Sequence, residues 1–156
     1  MTVTGDDIQL VTFRVGPQEF AFDILQVERI LRHVAPAPLP KAPAFLEGVV
    51  PYGGGAVPVV DLRKRFELPA PVREETRLMV VDLGEQRVGV LVDEVREVIR
   101  VDSTTITAPG PVVSGLAAAY IAGIVTRPER TIIILNARKL LSSTERLALT
   151  AMGSAS

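Results

Sequence analysis

A chain of 156 residues with 47% hydrophobic and 22% charged residues has ordinary globular chemistry and suits one domain or two very small lobes. A net charge of −1 with scattered lysines and arginines offers no footprint for nucleic acid, and 4% aromatics without Trp supply few stacking platforms. Zero cysteines exclude disulfides and thiolate metal sites, and a single histidine leaves zinc or haem almost without ligands.

Residues 1–8 are expected as a flexible tail. They carry neither the basic nor the apolar segment of a signal peptide, and no apolar run of membrane-spanning length follows, so a cytoplasmic location is expected. From Gln9 onward β-branched residues and alternation dominate: LVTFRV (10–15), EFAFDI (19–24) and VERILRHV (27–34) read as strands. APAPLPKAP (35–43) carries four prolines, which rules out a central strand and predicts an extended connector. Phe45–Val50 and Ala56–Val60 read as a strand pair around PYGGG, expected as a wide, flexible turn. The run VPVV (57–60) is apolar without alternation, so it should be buried on both faces. Asp61 is placed to cap a short helix, LRKRF.

PAPV (69–72) reads as a seam, after which strands are expected at 78–83, 87–92, 95–101, 121–126 and 131–135, with a looser stretch at 108–115. ARKLLSSTERLAL, from Ala137, has leucines spaced for a terminal amphipathic helix, and GSAS should fray.

The two halves share one phrase. VTFRVGPQEFAFDILQVERILR (11–32) lies over MVVDLGEQRVGVLVDEVREVIR (79–100) without a gap at an offset of 68 residues, bringing Gly16 onto Gly84 and Val27 onto Val95. GVVPYGGGAVPVVDLRKRF (48–66) lies over GIVTRPERTIIILNARKLL (123–141) at an offset of 75, with Asp61 on Asn136 and Arg63-Lys64 on Arg138-Lys139. A chain that repeats its architecture once is most simply two copies of a small β-unit. Five strands in about 60 residues are too few for a self-sufficient sandwich, so the expected fold is mainly β, as two small closed or half-closed barrels. The domain is expected over 9–145, as lobe one (9–72) and lobe two (73–141), with 142–156 as helix end and tail.

Catalytic chemistry is thinly supplied. His33 reads as a surface or structural residue, and Ser114 lacks both a nucleophile elbow and a base. Gly53-Gly54-Gly55 has no following Gly-Lys-Ser/Thr and leads into a strand, so it is not a phosphate loop. Asp23, Asp61, Asp82 and Asp93 each stand at a strand end, where Asp usually caps or turns. The Arg-Lys pairs are expected on a solvated face. No enzyme, metal or cofactor is expected, and surface remains: open strand edges with exposed Val, Ile and Leu mark protein-binding sites.

The stretch PAFLEGVV…VPVVDLRKRF (43–66), with EFAFDILQV (19–27), VGVLVDEV (88–95) and IIILNARKLL (132–141), resembles the CheW family, the adaptor of bacterial chemosensory arrays. The resemblance covers Gln9 to Leu141 and implies two five-stranded SH3-like barrels. It implies a non-catalytic adaptor that binds the regulatory domain of a CheA-type histidine kinase and the cytoplasmic tip of a chemoreceptor, in membrane-associated arrays. The receptor tip, a helical hairpin, would lie in a groove between lobes. By the same resemblance Val27 and Val98 match groove positions, and Gly48 matches a glycine associated with kinase binding. Two departures stand out. Pro51-Tyr52-Gly53-Gly54 puts Gly53 where the family carries a receptor-contacting arginine, and Arg29 stands where the family favours glutamate. These departures point to altered receptor recognition. Other readings are a divergent scaffold of a pilus, biofilm or second-messenger pathway, a small β-barrel ligand-binding protein, and a nucleic-acid-binding barrel.

Overall fold

The computed structural model describes residues 6–69, 71–84, 86–108, 120–142, 145 and 148. Among them run strands β1 (Asp7–Val15), β2 (Gln18–Asp23), β3 (Val27–Arg32), β4 (Gly48–Tyr52) and β5 (Gly55–Asp61), then the short helix α1 (Leu62–Arg65). The second half gives β6 (Arg77–Asp82), β7 (Arg87–Val92), β8 (Glu94–Asp102), β9 (Ile121–Arg127) and β10 (Arg130–Leu135). The repeat is visible in detail. Asp61 and Asn136 both cap the turn that follows them, accepting from the amides of Arg63 and Arg138, as the acceptor side chains of Asp and Asn allow. The connectors match too: Ala37 bridges Val49 on β4, and Thr107 bridges Ile124 on β9.

The strands form two five-stranded sheets, in the orders β8-β1-β2-β10-β9 and β3-β6-β7-β5-β4. Neither follows the expected division at residue 72. The second sheet is the continuous stretch 27–92, and the first is assembled from the two flanks. The leading hairpin of each copy is completed by three strands of the other. The chain passes between sheets at the 3-10 turn Ile24–Gln26 and again at Asp93. Pro69, Pro71 and Val72 instead lie on the link from β5 to β6, two neighbours in the chain that belong to one sheet. Proline-rich composition marks a loop whether or not the loop separates lobes. Neither sheet closes on itself: β8 and β9 are the edges of one, β3 and β4 of the other.

Sharing strands creates a shared core. Val11, Phe13, Val15, Phe20 and Phe22 of the first sheet meet Val60, Met79, Val81, Val88, Val90 and Val92 of the second, with the rings of Phe13 and Phe22 stacked at 5.0 Å. Each sheet also buries its far face, the first under Leu10, Ile99, Val101, Val125 and Ile132, the second under Val50, Val57, Val59, Leu78 and Leu91. That double burial is why β5 runs apolar without alternation: Val57 and Val59 face one core and Val60 the other.

The β4–β5 turn is tighter than its composition suggests. Pro51 and Tyr52 belong to β4, Tyr52 pairs with Gly55, and only Gly53 and Gly54 lie between the strands. Their φ angles are +55° and +83°, the two left-handed residues of a hairpin turn whose twist matches that of the strands. Phe45 and Leu46 precede β4 as a turn rather than opening it. The expected helix does not begin at Ala137: Ala137–Lys139 form a 3-10 turn and Leu140 and Leu141 a bend, and only Glu145 and Ala148 beyond them are described as helical. Its other residues after Ser142, the frayed end and most of the 108–115 stretch lie outside the described residues.

Candidate partner-binding surfaces

Two of the exposed apolar residues, Ile30 and Val98, lie on the free edge strands β3 and β8. Val27 opens β3 half-buried against the shared core, and its counterpart Val95, second residue of β8, packs on the same core. Three residues on, Ile30 and Val98 occupy equivalent places and stand 40% and 54% exposed. Leu25, in the turn leading into β3, is 89% exposed. Burying a leucine or isoleucine gains about 1.5–3 kcal/mol, so aliphatics displayed on open sheet edges are surfaces a partner can cover.

Arg29 is exposed beside a bulge between Val27 and Arg29, where β3 shifts register against β6. Its neighbour Glu28 pairs with Arg87 at 2.6 Å. Gly53 is exposed at the hairpin tip, and a Cβ there would meet nothing within 4 Å. Among the described residues, no side-chain hydrogen bond or ion pair links any two of Val27, Arg29, Gly53 and Val98. Two lie on one edge strand, one on the turn at the far edge of that sheet, and one on the edge of the other sheet. The second copy keeps what the first lacks. Glu97, the counterpart of Arg29, accepts from Arg130 at 3.1 Å. Arg130 also holds Glu19, and that hydrogen bond keeps the Glu19 carboxyl below the usual carboxylate range against its own burial.

Gly48 has a role inside the fold. It is buried with φ +145°, and a Cβ would lie 2.3 Å from the carbonyl oxygen of Ala37. The absence of a side chain lets the proline-rich connector bridge onto β4.

The expectation of a solvated Arg63 fails. Its side chain is 1% exposed, with Nε and Nη2 both 3.0 Å from the two oxygens of Asp61. Nη1 donates to the Pro71 carbonyl at 2.6 Å and to Asp93 at 3.2 Å. The other oxygen of Asp93 accepts from the Gly16 amide at 2.7 Å. Burial would weaken the charge on Arg63, but the hydrogen bonds and attraction of the two carboxylates outweigh it and hold its pKa above the ordinary value. The cluster ties α1, the loop after it, the β1–β2 turn and the crossing at Asp93 together. An Asp-x-Arg at a helix start was the available sign. Lys64 is exposed as expected, paired with Glu47 at 2.7 Å. Three of the four strand-end aspartates cap the turn that follows them, Asp23 accepting from the Leu25 amide, Asp61 from that of Arg63 and Asp82 from that of Gly84, whereas Asp93 bonds across the fold to Arg63 and the Gly16 amide.

A groove of about 650 Å³ lies between the first sheet, at Phe20 and Ile133, and the chain after α1, at Phe66 and Leu68. Tyr120 and Arg65 stand at its side, and Arg65 pairs with Glu145 at 2.6 Å. None of the four receptor-groove candidates lines it.

With the sheets and surfaces placed, comparisons with known proteins are specific. The family model for the CheW-like domain matches residues 9–145. The chemotaxis protein CheW of Treponema pallidum is 31% identical over 150 residues, covering 93% of this chain and 88% of its own. CheW of Bacillus subtilis is 31% identical over 139 residues, covering 88% of each. Among solved structures, the scaffolding protein TtCheW of Thermoanaerobacter tengcongensis superposes with a TM-score of 0.79 at 28% identity, covering 93% of this chain and 92% of that one. These matches favour a chemotaxis adaptor over a scaffold of another pathway or a ligand-binding barrel.

Proposed function

The chain belongs to the CheW-like domain family of chemotaxis adaptors, and from that membership we propose that it joins the regulatory domain of a CheA-type histidine kinase to chemoreceptor tips. It does so by binding alone, with no catalytic step, in the cytoplasm at membrane-associated arrays; none of its described helices is long and apolar enough to cross a membrane. The observation that carries the reading is the repeated aliphatic on open edges, Ile30 on β3 and Val98 on β8. Two equivalent apolar edges suit a protein that must hold more than one partner. The SH3-like form of the lobes is part of the same reading, supported by the connectors that bridge the outer strands β4 and β9 at Ala37 and Thr107.

Val27, Arg29, Gly53 and Val98 are read as receptor-facing, and the glutamate and the arginine that the family carries are replaced in the first copy by Arg29 and Gly53. The expected consequence is a receptor tip of different charge pattern. Gly48 is read as a kinase-side residue through the connector it admits. Calorimetric titration with the regulatory domain of a CheA-type kinase from the same genome tests the whole: saturable binding is expected, and no complex at high concentration overturns it. For the receptor face, the double variant Arg29→Glu, Gly53→Arg should bind the native receptor tip more weakly than the parent. Unchanged or tighter binding removes the case for an altered receptor. Arginine at φ +55° costs roughly 1–2 kcal/mol of backbone strain, so Gly53→Asn serves as the unstrained control.

A further inference from the structure

At the end of β3 away from the crossing, Arg32 is paired directly across from Arg77 of β6. Like charges directly opposed in a sheet are destabilising. Neither guanidinium has an ion pair among the described residues, nor does that of Arg73 nearby. The three arginines and His33 line a pocket of about 280 Å³ with Val72, Glu74 and Thr76. Arg77 is held in place: its Nη1 donates to the carbonyls of Glu74 at 2.6 Å and Thr76 at 3.0 Å. That leaves Nε and Nη2 without an acceptor among the described residues. The loop is fixed as well, with the Arg73 amide bonded to the hydroxyl of the buried Thr76 at 2.9 Å. Among the described residues Glu74 is the one carboxylate lining the pocket, against three guanidinium charges.

The duplication supplies a control. The counterpart of the Arg32–Arg77 pair is Arg100 opposite Gln9 on β8 and β1. The same fold position is therefore met by a neutral side chain in the other sheet, and folding does not require arginine at 77. The cationic pocket belongs to one copy only.

We propose that the pocket of Arg32, His33, Arg73 and Arg77 binds the carboxylates of an acidic segment in a protein partner, separately from the edge positions of Val27, Arg29, Gly53 and Val98. Guanidinium forks match carboxylates two bonds at a time. Val34 and Val72, 57% and 59% exposed, flank the charges, so the fitting partner alternates acidic with aliphatic residues. This inference does not depend on the kinase or receptor assignment.

The test is an NMR titration of the full-length ¹⁵N-labelled chain with a capped Glu-Leu-Glu-Glu-Leu-Glu peptide, its lysine-for-glutamate analogue, and inorganic phosphate. The acidic peptide is expected to shift amides at 32–34 and 72–77 saturably, and the lysine peptide to shift none of them. Arg32→Ala and Arg73→Ala, both exposed in the parent, should each weaken the peptide by about 10-fold while leaving the other amide positions unchanged. Absence of saturation, or saturation indifferent to both substitutions, overturns the site. Phosphate that saturates the same amides more tightly than the peptide overturns the assignment to a protein partner. Kinase titration with the same variants separates this site from the adaptor reading, since that binding should persist if the two are independent.

Discussion

Replacing Gly48 by alanine separates a glycine that builds the fold from one that merely leaves room for a partner. The added Cβ would lie 2.3 Å from the Ala37 carbonyl oxygen and 2.8 Å from its carbon, both backbone atoms that no rotamer change can move. The connector must lift from β4, and with it go the hydrogen bonds from Ala37 N to Val49 O at 2.8 Å and from Val49 N to Ala37 O at 2.9 Å. At about 1 kcal/mol net for each bond and about 1–2 kcal/mol for a side chain at φ +145°, the loss is roughly 3–4 kcal/mol. For a domain of this size that lowers Tm by roughly 6–16 °C. Thermal unfolding followed by circular dichroism gives the number, and kinase titration well below the variant's own transition gives its binding. A variant that melts within about 2 °C of the parent refutes the packing argument. Weakened kinase binding in such a variant would make Gly48 a contact glycine alone.

Two further substitutions probe the charges. Arg63→Met strands Asp61 in the core and should cost about 3–5 kcal/mol, read by urea unfolding. Adding Asp61→Asn and Asp93→Asn should recover most of the loss, because asparagine still caps α1 and no buried charge remains. A triple variant as unstable as the single one would show that the cluster acts by shape rather than charge. Arg130→Gln removes the partner that lowers the Glu19 pKa. A carboxyl depressed in the folded state stabilises above its ordinary titration range, and that contribution disappears as pH falls through the folded value. The variant should therefore melt about 2–4 °C below the parent at pH 7 for a pair contributing about 1 kcal/mol, and the gap should close in acid below the ordinary carboxylate range. A gap that stays constant down to pH 3 contradicts the ion-pair account.

Strand positions were legible because they rest on local pattern: 87–92 was expected and β7 occupies Arg87–Val92, while 121–126 and 131–135 fell within a residue or so of β9 and β10. Which strand pairs with which was not, since nothing within β3 says whether its neighbour will be β2 or β6. Pairing is decided by contacts across the whole chain. The same distance hid Arg63, whose burial depends on Asp93, 30 residues away. At 53–55 the glycines were visible but their reading was too loose; strand twist selects a two-residue turn with both φ angles positive. Among the site residues, Val98, Arg29 and Gly53 are exposed and Val27 is half-buried. The structural reason for Gly48 needed the connector at Ala37, which sequence distance also concealed.

Interleaving makes a claim about cooperativity that two beads on a string would not. The second sheet is inserted into the first, so neither five-stranded unit is complete without the other's crossing points at 24–26 and 93. The largest apolar cluster lies between the sheets, and Phe13 and Val92 in it are both fully buried. Opening one sheet would expose that shared face of the other while the Arg63 cluster still tied them at Asp93. The chain should therefore unfold in one step, with equal calorimetric and van't Hoff enthalpies and coincident transitions by fluorescence and circular dichroism. Two resolved transitions, or hydrogen exchange that protects 27–92 after the flanks have opened, would refute the shared-core argument. If unfolding is single, a partner that binds one edge stabilises both sheets at once by mass action. The parent with partner bound should then melt higher as a unit, with amides of β1 and β6 gaining protection together.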